Sequence, residues 1–471
     1  MKRIAIIGGG ISGLSAAFAL EQQRRVKQHL EYVVFESGPR FGGVVATEQV
    51  DGCVVEAGPD SFLTEKPWAS ELCHQLGLGD QLIGSNDAAR KTYILVNGRL
   101  VMLPDGLMFM VPTKIRSALT SPLFSTRTKF KIAREWLHPP HKAEGDESVA
   151  SLIERHYGSE MVERLADPLL SGVYGGEASR LSVRAVLPRF AQMEETHGSL
   201  GRGMLAARNH STSSAALGKP IFTSLKSGMQ QMVDALLVYL PGTSLRSGTQ
   251  IIAVEPQAGG WLLSAGYDSD QFDAVIIATT ASAAATLLRT TDANLARELG
   301  GIEYSSSITV SLGYDQQVRS SLPAGFGFLV PRSEGKRLMA ATFVHNKFPH
   351  RASDNRALIR CFLGGTRDES VLQLSHEEIL RIVREELHQI LGITAEPLFT
   401  RVYKWKSAMA QYNVGHLERL DRIESLGKQY SGLALAGNGY RGIGVPDCVR
   451  SGKEAAGQAL AAVGLAKETA S

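Results

Sequence analysis

Gly8, Gly10 and Gly13 follow an apolar run, Ile4-Ala-Ile-Ile7, and open a stretch rich in alanine and leucine. Between a strand and a helix, that spacing suits a dinucleotide. The first glycine permits the tight turn, the second lets backbone approach a pyrophosphate, and the third lets helix and strand pack closely. With Gly9, Ile11 and Ser12, the turn offers phosphate oxygens the free N–H groups and partial positive charge of a helix N-terminus. Glu36 stands at the end of the next strand, near the offset at which a carboxylate accepts hydrogen bonds from ribose hydroxyls. A carboxylate there repels a 2′-phosphate. That argues against NADP and leaves NAD and FAD open.

The elements that must hold these residues are legible in outline. Residues 3–7 read as a buried parallel strand, Ser12 to Leu20 as a helix and 32–36 as a second strand. Helical segments are expected up to about residue 170, after a stretch at 101–111 crowded with Val101, Met102, Met108, Phe109 and Met110. Residues 201–219, rich in Gly, Ser and Ala, read as a loop. Strand signals return at 250–255, at 261–264, after Asp273 and at 307–312. Ser375 and Glu378 form a capping box that opens a helix, and Gly392 is its expected stop. A last helix is expected over about 446–463.

A chain of 471 residues is too long for one ordinary core. Its 44% hydrophobic and 21% charged residues are the balance of a soluble globular protein. A net charge of +3 gives no nucleic-acid footprint. Cys53, Cys73, Cys361 and Cys448 have no metal-ligand or CxxC spacing, so four reduced thiols and no metal are expected. The first strand begins directly after Met-Lys-Arg, and no stretch reaches about 18 apolar residues. The expectation is a cytoplasmic protein, with contact to the inner face of a membrane left open. Nothing in the sequence speaks to oligomeric state.

Glu36-Ser37-Gly-Pro-Arg40-Phe-Gly42-Gly43 resembles the segment after the ribose-binding acid in amine oxidases, phytoene desaturases and porphyrinogen oxidases. The resemblance implies FAD, with Arg40 reaching the cofactor and Gly43 passing close to it. At the far end, Gly437-Asn438 through Ile443-Gly444-Val445 resembles the turn that holds the flavin end. A helix beginning near Val445 would put positive potential beside the flavin and favour its anionic reduced form. Three further segments resemble protoporphyrinogen and coproporphyrinogen oxidases: Glu56-Ala-Gly58-Pro59-Asp60-Ser61-Phe62, Asp167 through Gly176, and Trp405 through His416. The resemblance implies cofactor contacts at Gly58, Pro59, Asp60, Ser61, Val254 and Trp405. It implies an α/β fold in three parts: a discontinuous Rossmann-like FAD domain (1–94, 221–290, 416–471), a sheet-containing substrate domain (291–415) and a mainly helical domain (95–215). In this family the helical part contacts membrane. The Met-rich stretch fits that contact, a substrate mouth or plain core packing.

The reaction so implied is oxidation of a porphyrinogen to a porphyrin. Six electrons leave in three two-electron steps, with oxygen as final acceptor, and the flavin carries the redox chemistry. Accordingly there is no nucleophilic triad and no paired-carboxylate motif, and no catalytic base is named. The resemblance puts Phe348 and Leu329 on opposite faces of the substrate, the carbonyls of Gly172 or Gly175 near pyrrole N–H groups, and Lys66 on a propionate. Coproporphyrinogen III carries four carboxylates and protoporphyrinogen IX two; the supply of cations leans slightly toward the former. Another flavin oxidase of the amine or carotenoid type, and a non-catalytic escort-type relative, are the competing readings.

Overall fold

The computed structural model describes residues 1–26, 29–210 and 219–465. Its organising layer is a parallel sheet of five strands, in the order Leu245–Arg246, Leu30–Phe35, Lys2–Ile7, Ala274–Ile277, Leu433–Leu435. Every pairing in it is parallel. Taken along the chain, the strands lie 3-2-1-4-5, the doubly wound order that puts a ligand crevice where the order reverses. The strand Lys2–Ile7 is central and buried from Ile4 onward, so that part reads as a continuous apolar run rather than an alternating one. The helix Ile11–Arg24 follows it and packs against the last helix, Val445–Ala462. The approach is close enough that a Cβ on Gly452 would lie 2.1 Å from the Ser12 carbonyl oxygen. Only glycine fits there.

A second sheet of seven strands carries the other half of the molecule. Its order is Phe399–Ala410, Tyr304–Asp315, Arg356–Gly364, Ala340–Phe343, Gly327–Leu329, Thr92–Val96, Arg99–Met102. Residues 92–102 therefore belong to this sheet, not to a helical region beginning at 95. At the other boundary, the helix Ala293–Gly300 packs on Ala281–Leu287 and His416–Gly427. Leu295, Leu299 and Ile302 join the core that holds Ala5 and Val275 of the parallel sheet. The substrate sheet thus starts near residue 304 rather than 291.

The remaining part, about 103–210, is mainly helical. The helix Leu200–His210 occupies half of the stretch read as a loop; residues 211–218 of that reading lie outside the described residues. Composition misled here because a buried polar network fixes the helix from outside. His156 sits between two carboxylates, Nδ1 3.1 Å from Glu135 and Nε2 3.0 Å from Glu194. Glu135 also accepts from the Ser199 hydroxyl at 2.8 Å and from the Leu200 N–H, at the start of the helix. Met102, Met108 and Phe109 are exposed at the edge of this part, while Met110 and Val111 are in its core. No helix of the described residues is long and apolar enough to cross a membrane. All four cysteines are buried and free.

Burial opposes charge on His156, but Glu135 and Glu194 outweigh it and raise its pKa above the ordinary 6.5. Burial likewise opposes charge on Glu194, yet His156 and Arg155 pull it down to about 2. A raised histidine pKa contributes stability that is complete below the unfolded value and lost as pH climbs through the folded one. The Glu194 contribution is present above its ordinary 4.5 and lost as pH falls toward 2. Replacing His156 by Gln leaves buried Glu135 without its cation and Glu194 with Arg155 alone, which should cost about 3–5 kcal/mol at pH 6. Denaturant unfolding at pH 6 and pH 9 checks this: the difference between wild type and H156Q should shrink at the higher pH.

Candidate functional site

The crevice at the strand-order reversal is lined by the glycine turn. Gly8 N–H donates to Phe35 O at 2.8 Å, and Gly9 N–H donates to the Glu36 carboxylate at 2.8 Å. The other Glu36 oxygen accepts from Gly38 N–H at 2.7 Å. Glu36 therefore braces the turn before any ribose arrives, leaving its remaining lone pairs for hydroxyls. A Cβ on Gly13 would lie 1.9 Å from the Gly8 carbonyl oxygen. A Cβ on Gly10 would meet nothing within 4 Å. Gly8 has a φ of +106°, and a Cβ there would lie 2.6 Å from the Ala278 carbonyl oxygen, so two glycines of the motif are required by the protein itself and one faces open space. The helix Ile11–Arg24 has no side-chain cap at Gly10, so its first N–H groups remain for an anion.

The following loop closes over this turn. Gly42 N–H donates to Gly9 O at 2.8 Å, bringing Gly43 beside Gly10. Arg40 donates to the carbonyls of Phe41, Gly43 and Val45. Its guanidinium is the brace of its own loop. Ser37 is exposed and bonds only weakly to Glu36, at 3.4 Å. Val254 is fully buried in the strand Ala253–Gln257, and its carbonyl accepts from Thr291.

Residues 57–61 run from the parallel-sheet half onto the face of the substrate sheet. The Ala57 carbonyl accepts both Thr309 Oγ1 and Trp405 Nε1, each at 2.8 Å. The next carbonyl, Gly58, accepts from Arg360. Pro59 follows, half-buried, and Asp60 lies 3.1 Å from Lys347 Nζ and accepts Ser61 Oγ at 2.8 Å. Burial opposes ionisation of Asp60, but Lys347 and Arg360 outweigh it and hold the carboxyl well below the usual range. Thr309 and Arg360 escaped the sequence reading because nothing local marks them; they become visible only when strand register brings them over residues 57 and 58.

The C-terminal turn is held by the segment that ends the substrate sheet. Tyr412 OH donates to Asn438 O at 2.7 Å and accepts from Gly442 N–H at 2.8 Å. Asn438 Nδ2 donates to Ala408 O at 2.9 Å, and Gly437 N–H donates to Ser451 Oγ at 3.1 Å. Two motifs separated in sequence are one hydrogen-bonded unit. Ile443 and Gly444 lead into the helix at Val445, where Gly444 N–H donates to Asp447 at 3.3 Å. Asp447 in turn pairs with Lys66 Nζ at 2.6 Å. The helix N-terminus is therefore accompanied by a carboxylate and its counter-ion, and Lys66 is already engaged.

The expected substrate residues fall into two places. Leu329 is half-buried and faces the helix Asp167–Tyr174, where a Cβ on Gly172 would be 3.9 Å from it. Gly172 is exposed, whereas the Gly175 carbonyl accepts Thr366 N–H at 2.8 Å. Phe348 is not beside them as an open ring. It is 1% exposed, with Lys347 and Arg351 near its faces. A planar ligand reaches that ring only if its surroundings move.

The sequence profile described as flavin containing amine oxidoreductase matches residues 11–460. Coproporphyrinogen III oxidase of Bacillus subtilis (strain 168) is 35% identical, over 98% of this chain and 98% of its own. Protoporphyrinogen oxidase of Homo sapiens is 31% identical, over 97% and 98% respectively. A crystal structure from Exiguobacterium sp. 255-15, provisionally assigned as a protoporphyrinogen oxidase, superposes with a TM-score of 0.86 at 31% identity, covering 97% of this chain and 98% of that one.

Gly10 and Gly13 should separate folding from cofactor retention. Gly10→Val is expected to leave the thermal midpoint of the apoprotein within a few degrees of wild type while abolishing flavin absorbance in the purified protein. Gly13→Ala should instead lower the midpoint itself, because its methyl meets backbone rather than empty space.

Proposed function

The chain belongs to the flavin containing amine oxidoreductase family, among its porphyrinogen oxidases, and on that premise we propose that it oxidises coproporphyrinogen III to coproporphyrin III with bound FAD. The full-length likeness to the Bacillus subtilis enzyme carries the choice of substrate. Protoporphyrinogen IX is the second reading, favoured by the engagement of Lys66 with Asp447, which removes one cation from the supply for extra propionates.

The residues present fit the cofactor. Open space over Gly10, an uncapped helix end and the lone pairs of Glu36 suit the pyrophosphate and ribose. Ala57 through Ser61 and Gly437 through Val445 would hold the flavin. When bound, the flavin supplies acceptance of two electrons at a time from a C–H bond and reoxidation by oxygen, three times per porphyrin. The protein's contribution is positioning. Thr309, Trp405 and Arg360 fix the carbonyls of residues 57 and 58, so the backbone the ring would lie against is set before substrate enters.

Leu329 and the exposed face of Gly172 would meet one side of the macrocycle. Gln411 Nε2 donates to Tyr174 O at 2.7 Å and Ser305 Oγ at 3.0 Å, which ties that helix end to the substrate sheet. Asp167 lies on the first turn of the same helix and lines a small cavity with Gly175 and Arg332. Burial raises its pKa above 3.8.

Side-by-side kinetics should give the higher kcat/KM with coproporphyrinogen III, read as porphyrin fluorescence. Lys66→Ala should cost several-fold in flavin retention and change KM equally for both substrates, since it strips Asp447 of its nearest cation. A rise in KM confined to coproporphyrinogen III would instead make Lys66 a propionate cation.

A further inference from the structure

The strand Cys53–Glu56 and the residues after it are pressed against the substrate sheet, and a group of charges lies buried between them. Arg351 bonds Glu56 through Nη1 and Ser224 Oγ through Nη2. Glu56 is otherwise satisfied by Met229 N–H at 2.7 Å and Thr47 Oγ1 at 2.6 Å. Lys347 is 3.1 Å from Asp60, and Arg360 is 3.9 Å from the same carboxylate. Charges just outside are closed among themselves: Glu48 pairs with Arg401, and Asp51 with Arg356, both at 2.8 Å. Three cations thus face two carboxylates, and one positive charge is left over.

Two donors are left over as well. Arg351 and Arg360 are 1% and 4% exposed, and the Nε–H of each has no acceptor. Both side chains line one cavity, shared with Glu56, Asp60, Ser311 and Phe348, with about 10 Å³ open to the centre of a water-sized occupant. That is room for one water-sized particle, and a slightly larger ion fits only if the lining side chains give a little. The rings of Phe348 and Phe362 approach the two guanidinium groups at 5.9 and 5.0 Å, an attraction that brings no counter-charge. A water molecule would accept the two N–H bonds but leave the surplus charge buried and uncompensated.

We propose that this cavity binds one small monovalent anion, a halide, between the Nε–H groups of Arg351 and Arg360. It is a structural counter-ion, distinct from cofactor and substrate, and it completes the charge balance at the seam between the two halves of the molecule. Asp60 and Gly58 connect it directly to the segment 57–61. Its occupancy should therefore set how firmly that segment is held.

Crystals of the flavin-loaded protein grown with bromide in place of chloride should show anomalous density within hydrogen-bonding reach of both Nε atoms. In solution, bromide titrated against gluconate at constant ionic strength should raise the thermal midpoint saturably, as binding to the native state requires. Arg360→Gln removes the surplus and should abolish that rise; Asp60→Asn enlarges the surplus and should shift saturation to lower bromide. Bromide found elsewhere only overturns the proposal. So does density in the cavity without the saturable midpoint shift, which marks binding at crystal concentration only. If Arg360→Gln does not fold, the diffraction and titration of the unaltered protein decide alone.

Discussion

The two ends of the chain meet across a gap that admits no side chain. Gly452 on the last helix lies against the Ser12 carbonyl on the first. This approach lets the helix Val445–Ala462 cover the parallel sheet beside Ile11–Arg24, with Ala455, Ala456 and Ala459 buried in the same core as Leu14 and Ala17. Had either helix carried a larger residue there, the axes would separate and the C-terminal turn would leave the crevice. Both ends of an extended cofactor would then no longer share one rigid frame. Small residues on both faces are what the dinucleotide site costs in sequence freedom.

From that frame the second half of the molecule is held by polar contacts beside a small apolar cluster of Cys53, Val55, Val344, Ala352 and Leu358. The seven-stranded sheet has its own core around Leu95, Val310, Phe328 and Ile359. It meets the first half through the carbonyls of residues 57 and 58, through Tyr412 on the C-terminal turn, and through the Glu56–Arg351 pair. Contacts of this kind are directional and fix orientation as well as distance, which hydrophobic burial alone does not.

What could be read in the sequence was what depends on local backbone. The glycine spacing, Glu36, the capping box at Ser375 with its reciprocal bonds to Glu378, and the left-handed Gly392 that ends that helix all follow from a few consecutive residues. The fold class and the flavin followed from motifs spread along the chain. Partner choice did not. Lys66 pairs with a carboxylate 381 residues away, and nothing local marks Phe348 as buried. The helix at 200–210 was missed because glycine-rich composition outweighed a cap supplied by Glu135. Gly203 is there for packing, since a Cβ would lie 2.7 Å from Met193. In each case the deciding group lies far off in sequence.

The order of strands in the parallel sheet also governs how the protein is made. Lys2–Ile7 and Leu30–Phe35 are synthesised first, yet the neighbour on the open side of Lys2–Ile7 is Ala274–Ile277, and the outermost strand is Leu433–Leu435. At about 5–20 residues per second, roughly 20–90 s of translation separate the first strand from the last. During that interval the emerging chain carries an apolar strand with an unpaired edge, the kind of surface that templates association with other chains. The sheet is complete only once Leu433–Leu435 has emerged. A chain that stops before residue 433 lacks the strand that pairs with the outer edge of Ala274–Ile277 and leaves that edge open.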